Sequence, residues 1–354
     1  MRSSSKKTLG RTVKCLTCLL LALVLLTVLY ASYVLIAYHR IGDKDTDIKN
    51  GEGGAIATGT AYSFISWNIG FAAYSKDFSF FMDGGTESRA YSREEVYKNL
   101  DGILARLKAE SADFLFLQEV DTDSTRSYHV NERDYILAKF PTFSHSFAQN
   151  YDSPYLFYPI SSPHGKSKSG LLTLSSKGIA SAKRVELPVE DSLMKLVDLD
   201  RCYHKLTVPV TNGKTLYLYN LHLSAYTSDG TIATEQLKLL LEDMAAEYQK
   251  GNYVIAGGDF NKDLLGLGEG GENTWAQPFP TELLPQGFTL QSGNSKTHSC
   301  RNCDTGYEKG TTFEVTVDGF IVSNNVNVGS CITLDEGFAN SDHNPVKLTF
   351  SLMH

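Results

Sequence analysis

The chain has 354 residues, 42% of them hydrophobic and 21% charged, with a formal net charge of −7. That composition excludes a wholly disordered chain. The charge is split. Residues 1–40 carry six bases and no acid, and the remainder holds 27 bases against 40 acids, or −13. A basic tip on an acidic body excludes a uniformly basic nucleic-acid coat protein and points to a membrane protein with a soluble domain.

Cys15 to Tyr38 is a run of 24 residues with no charge. As a helix it would extend roughly 36 Å, enough for one tilted crossing. Tyr30, Tyr33 and Tyr38 fall at its far end, where an interfacial aromatic belt would lie. Five bases precede the run, so residues 1–14 are expected in the cytoplasm and the body outside. The rival reading is a cleaved signal peptide. The run is longer than a signal-peptide core, and Leu29-Tyr30-Ala31 is a poor cleavage site. Residues 39–60 carry glycines among polar residues without apolar periodicity and read as a linker.

From residue 61 onward no second linker and no repeat interrupts the chain. Strand-like runs are expected at Tyr62–Trp67, Asp113–Leu117, Gly170–Ser175, Leu216–Leu221, Tyr253–Ala256, Thr312–Val322 and Val346–Leu352. Ser92 and Glu95 form a capping box ahead of Val96, Leu100, Ile103, Leu104 and Leu107. A second helix is predicted from Leu237, Leu240, Leu241, Met244 and Tyr248, ending near Gly251. The pattern predicts layered α/β with mixed sheets, one domain of roughly 290 residues.

Polar residues recur just beyond these apolar runs. Tyr62–Trp67 ends in Asn68-Ile-Gly70, and Asp113–Leu117 in Gln118-Glu119. Leu216–Tyr219 leads to Asn220-Leu-His222. Tyr253–Ala256 leads to Gly257-Gly258-Asp259-Phe260-Asn261. Thr316-Val317 precedes Asp318-Gly319, and Ser341-Asp342-His343-Asn344-Pro345 precedes the last strand. If the sheets align these ends, one rim gathers Asn68, Glu119, His222, Asp259, Asn261, Asp318, Asp342 and His343. Carboxylate and amide oxygens suit a hard cation such as Mg²⁺, with Mn²⁺ as the alternative. A histidine beside several aspartates suits proton transfer.

This ordered set resembles the endonuclease/exonuclease/phosphatase superfamily, in its deoxyribonuclease and neutral sphingomyelinase branch, here as a membrane-anchored member of bacterial type. The resemblance covers Tyr62 to Leu352. It implies a four-layered α/β sandwich, two mixed β-sheets flanked by helices, with one N-terminal transmembrane helix added. Residues 61–354 would be the catalytic domain. Glu119 looks like the principal metal carboxylate, with Asn68 and Asp342 beside it. His343 looks like the histidine at the scissile phosphate and Asp318 like its orienting carboxylate. Asp259 looks like the residue that positions or deprotonates water, Asn261 like an amide donor to the phosphoryl group, and His222 like a phosphate-binding histidine. Whether Asp259 or His343 takes the proton stays open at this level.

Arg126, soon after Glu119, is a weaker candidate for gripping phosphate, with a surface ion pair as the equal alternative. Lys166 and Lys168 read as surface ion pairs, and Phe78, Phe80, Phe81 and Met82 read as core, with a lid or lipid-facing loop as the alternative. Gly266–Gly271 reads as a flexible loop, and among Cys202, Cys300, Cys303 and Cys331 a local or loop-tying disulfide is expected. The expected function is hydrolysis of a phosphoester, a lipid head group favoured. An extracytoplasmic nuclease is the alternative, disfavoured by the −13 body against a polyanion. A non-catalytic binding module ranks third. Nothing in the sequence points to a protein partner.

Overall fold

The computed structural model describes residues 2–191, 195, 199–225, 231–266, 275–293 and 296–354. Beyond Gly266, the loop expected at 266–271 lies outside them. In chain order the elements are α1 (Arg2–Ala37), β1 (Lys44–Asp45), β2 (Ile48–Lys49), β3 (Ala61–Asn68), α2 (Arg93–Glu110), β4 (Phe114–Asp121) and α3 (Glu132–Leu137). There follow β5 (Ser144–Asp152), β6 (Lys168–Ser175), β7 (Ser181–Glu186), β8 (Cys202–Pro209), β9 (Thr215–His222), α4 (Thr231–Gln249) and β10 (Tyr253–Asp259). The last are β11 (Lys262–Asp263), β12 (Gln277–Pro278), β13 (Phe288–Ser292), β14 (Cys300–Arg301), β15 (Glu314–Val315), β16 (Asp318–Ser323), β17 (Val326–Thr333) and β18 (Val346–Leu352).

Among the described residues, two seven-stranded sheets form the body, in the orders β17-β18-β3-β4-β6-β5-β2 and β1-β7-β8-β9-β10-β16-β13. The β3–β4 and β9–β10 pairs are parallel, so both sheets are mixed. Period-two alternation sorts each strand between two cores. Phe64, Phe114 and Phe116 of the first sheet meet Leu218, Ile255 and Phe320 of the second. Ile65, Trp67, Leu115 and Leu117 face outward onto Val96, Leu100, Ile103 and Leu107 of α2 and Ile136 of α3. Tyr219, Leu221, Val254 and Ala256 face Leu237, Leu240, Leu241 and Met244 of α4. The layers are therefore helix, sheet, sheet, helix, as expected.

The Ser92 hydroxyl accepts the Glu95 N–H at 3.1 Å, as the capping signal predicts. Helix α4 runs out at Gly251, whose φ of +84° lies in the region that favours glycine. The run at 312–322 is two strands, not one: β15 leaves the sheet and pairs β14, while β16 enters it beside β10.

Residues 39–60 are not a free linker. β1 pairs β7 in one sheet and β2 pairs β5 in the other. Ile56 is fully buried and bridges Val210, and Thr58 bridges Leu352. The glycines misled. A Cβ at Gly51 would lie 1.9 Å from the Thr142 carbonyl oxygen, and one at Gly53 1.8 Å from that of Ser176. They are glycines because backbones touch there, not because the segment is loose.

This strap is held from below by His204. Its Nε2 lies 2.9 Å from the Thr46 hydroxyl and 3.3 Å from Ser146. Full burial pushes its pKa down to about 3. The unfolded value is about 6.5, so the folded state prefers the neutral ring. Its stabilising contribution is complete above pH 6.5 and is lost as pH falls toward 3. Between pH 7 and 4.5 this group is expected to cost on the order of 2–3 kcal/mol. Urea unfolding of the chain and of His204→Asn at both pH values checks it, the variant showing the smaller loss.

Candidate active site

Register brings the polar strand ends together. Asn68, the last residue of β3, pairs Gln118 of β4. Asp259, the last residue of β10, sits between His222 of β9 and Asp318 of β16. The loop before β18 supplies Asp342 and His343. It is fixed by Ser341, whose hydroxyl donates to the Asn68 carbonyl at 2.7 Å, and by Trp67, whose Nε1 donates to the His343 carbonyl at 2.8 Å. The result is a pocket of about 450 Å³ lined by Asn68, Glu119, His222, Asp259, Asp342 and His343, with Asn261 and Arg126 also on its walls.

Two backbone features aim the side chains. The β4–β6 pairing shifts between Leu117 and Val120, and Glu119 within that bulge has φ +55°. A bulge rotates one side chain out of the alternation, here the Glu119 carboxylate into the pocket. Gly258, just before Asp259, has φ +149°, and a Cβ there would lie 2.0 Å from the Leu221 carbonyl oxygen. Gly258→Ala must part β9 from β10, and we expect it to cost about 3 kcal/mol or more. A lowered urea midpoint at unchanged slope would record it.

The hydrogen bonds form two clusters that meet at Asp259. In one, the Asn68 amide donates to Glu119 Oε1 and to Asp259 Oδ2, both at 3.2 Å. Its Oδ1 accepts the Gly70 N–H at 3.0 Å and keeps a second lone pair. Burial raises the Glu119 pKa and the nearby Asp342 charge adds to it, against the pull of Arg126. In the other, His343 Nδ1 lies 2.7 Å from Asp318 Oδ2, and its Nε2 lies 3.8 Å from Asp259 Oδ2. Burial works against a charged His343, but Asp318, with Cys300 and Asp342 adding to it, holds the imidazole well above its ordinary pKa. Burial, and then Asp318, push Asp259 up to about 7.

The Asn261 backbone N–H donates to Asp259 Oδ1 at 2.8 Å, and its side-chain amide donates to the Leu223 carbonyl at 2.8 Å. His222 Nε2 is 3.5 Å from Asp259 Oδ2. Burial and then Arg201 keep His222 neutral. Among the described residues, His222 Nδ1 and Asp318 Oδ1 are buried without a hydrogen-bond partner.

Glu119, Asp342 and the Asn68 oxygen are hard donors facing one pocket, with two carboxylates that repel each other. That set fits a divalent cation. Asp259, Asp318 and His343 form a second acidic grouping that could hold a metal ion, their ligand atoms within 4.8 Å of one another.

Several expectations change. The Arg126 fork is spent on Asp121, at 3.1 and 2.8 Å, and its plane stacks 3.9 Å from the Phe71 ring centre. It is a buried prop beside Glu119, 3.8 Å away, not a free phosphate clamp. Cys300 and Cys303 are unpaired, buried and part of the pocket wall, with Cys303 Sγ 3.7 Å from Asp342 Oδ2. Lys166 and Lys168 pair with Asp152 as expected. Phe78 and Phe80 are core, while Met82 is exposed at the pocket rim. Ser299 gave no sequence signal, yet its hydroxyl accepts the N–H groups of Val317 and Asp318 and so fixes the start of β16. Phe71, Tyr74 and Tyr151 add an aromatic wall that no motif announced.

A two-sheet sandwich with carboxylates and imidazoles gathered at one rim defines a phosphoesterase- or nuclease-like fold. The chain belongs to the Endonuclease/Exonuclease/phosphatase family, whose model matches residues 65–343. No curated protein sequence matches the chain. Solved structures do. One is an endonuclease/exonuclease/phosphatase from Beutenbergia cavernae, 18% identical with a TM-score of 0.58, covering 83% of this chain and 72% of that one. A second is ANGEL2, a 2',3'-cyclic phosphatase in complex with adenosine-2',3'-vanadate, 17% identical, TM-score 0.55, covering 87% and 99%. A third is TDP2 from D. rerio complexed with single-strand DNA product, 16% identical, TM-score 0.52, covering 82% and 99%. At such identities the likeness is one of fold.

Proposed function

We propose that the chain is a membrane-anchored, Mg²⁺-dependent phosphoesterase that cleaves a lipid head group or a related phosphoester by in-line attack of water. The observation that carries the reading is the pocket lined by Glu119, Asp342, Asn68, Asp259 and His343, with Asp318 buried behind His343. Family membership supports a hydrolase. Anchoring is supported by Gly10–Ala37, 28 residues long and apolar enough to cross a membrane, with only 6% of its most apolar window buried. The five bases ahead of the apolar run favour a cytoplasmic N-terminus.

Glu119, Asp342 and Asn68 would hold the cation, which when bound stabilises the charge that develops on the phosphoryl oxygens. Asp318 fixes His343 by its Nδ1 and leaves Nε2 to donate toward the phosphoryl group. Asp259 is held by the Asn261 N–H and the Asn68 amide, and it orients the attacking water and accepts its proton. His222 and the Asn261 amide line the phosphate position. Arg126 stiffens Glu119 from behind.

The second reading is a nuclease, favoured by TDP2 bound to single-strand DNA product. The −13 body weighs against it. The test offers the full chain plasmid DNA, a phosphocholine diester lipid and a phosphomonoester, each with Mg²⁺ or EDTA. Mg²⁺-dependent turnover of the lipid diester is expected. Rapid DNA cleavage with no lipid turnover would replace this reading by the nuclease one.

A further inference from the structure

The loop between β5 and β6 leaves its apolar side chains in the open. Phe157 is 56% exposed, Tyr158 69% and Ile160 89%. Three large hydrophobic residues within four positions are unusual on a solvated surface. The backbone that carries them is bound to the end of α1. The Tyr30 hydroxyl donates to the Tyr155 carbonyl at 3.1 Å, and the Tyr33 hydroxyl accepts the Tyr155 N–H at 2.9 Å. The Tyr30 ring meets the Phe157 ring edge-on at 5.3 Å.

Those contacts set a depth. Leu16 to Leu29 of α1 are exposed and, apart from Thr17 and Thr27, apolar; Tyr30 and Tyr33 begin the aromatic outer end of the uncharged run, which continues through the exposed Leu35 and Ile36 to Tyr38. If α1 crosses a bilayer, the two tyrosines sit at its interface, where amphipathic rings belong. Residues hydrogen-bonded to them lie at the same level. The loop also reaches the pocket. Tyr158 packs 5.8 Å from Phe81, whose neighbour Met82 is at the rim. His164, farther along the loop, packs 5.7 Å from Phe81 and lines the pocket.

We propose that Phe157, Tyr158 and Ile160 form a bilayer-docking loop that inserts at the headgroup level and holds the pocket mouth against the membrane surface. The proposal rests on the anchored reading above. The occupant is the lipid interface because the loop is continuous, through Tyr30 and Tyr33, with the helix that would span it. It deepens the functional reading: a head group would enter from the bilayer side, past Met82.

The test places a tryptophan at the loop tip. The full chain carrying Ile160→Trp, or Phe157→Trp as a second probe, is reconstituted in phosphatidylcholine bilayers with or without bromine near the headgroup end of the acyl chains. Ile332→Trp, on β17 at the far edge of the same sheet, serves as reference, and wild-type emission is subtracted. The loop probes are expected to emit blue-shifted light that brominated lipid quenches, and the reference is not. A chain retained on membranes after carbonate washing with unquenched loop probes overturns the proposal alone, whether water or a second copy covers the loop. A chain released by carbonate overturns the anchored reading and the docking loop with it.

Discussion

Glu119→Gln is expected to keep its fold and lose about a thousandfold in turnover, because a metal-held carboxylate underwrites several kcal/mol of transition-state stabilisation. The substitution is nearly isosteric. Asn68 Nδ2, now 3.2 Å from Oε1, can still donate to the amide oxygen, so the bulge at Leu117–Val120 is retained. What disappears is one of two carboxylates facing the cation position. Calorimetric Mn²⁺ binding should weaken along with turnover, while the urea midpoint stays at or above that of the parent. The midpoint holds because burial and Asp342 make a charged Glu119 costly without a cation. A variant that binds Mn²⁺ normally would move the metal away from Glu119.

His343→Gln is expected to lower kcat by about 10²- to 10⁴-fold, the range for losing a positioned acid–base group. The ring is fully enclosed, with Nδ1 on Asp318 and Nε2 turned toward Asp259 and the pocket. No other described imidazole can replace it. His222 sits across Asp259 and is held neutral by burial and Arg201. Asp318→Asn keeps a group of the same shape but removes the charge that favours the imidazolium. A loss of about 10- to 100-fold is expected there, in kcat rather than KM, because Asp318 acts only through His343. Equal losses in KM and none in kcat would mark the pair as a binding element instead.

The polar rim was legible because each of its residues lies at the end or the start of an apolar run. A strand that ends or starts at a sheet edge exposes its neighbouring side chains, and four strand ends and two strand starts gather at this rim. Strands β5, β7 and β8 left no comparable signal, since polar residues interrupt their inward faces. Ser144, Ser146 and Asn150 of β5, Arg184 of β7 and His204 of β8 are all buried. Arg184 is satisfied by the carbonyls of Ile41, Gly42, Gln149 and Asp200. Such a polar seam between sheets has no hydrophobic period to read. Arg126 illustrates a different limit. Its proximity to Glu119 was readable, but Asp121, which occupies its fork, faces it only once the loop folds back over Phe71. The strap of residues 39–60 was hidden because close backbone contact and flexibility both select glycine.

The central claim is that Glu119, Asp342 and Asn68 hold a cation that the phosphoester chemistry requires. The most direct measurement is hydrolysis of bis-p-nitrophenyl phosphate by the full chain, stripped with EDTA and titrated with Mg²⁺, beside Glu119→Gln treated identically. The stripped chain is expected to show no turnover and to recover with Mg²⁺, while the variant does not recover in the same range. Turnover that persists in EDTA, or a variant restored as fully as its parent, would contradict that claim.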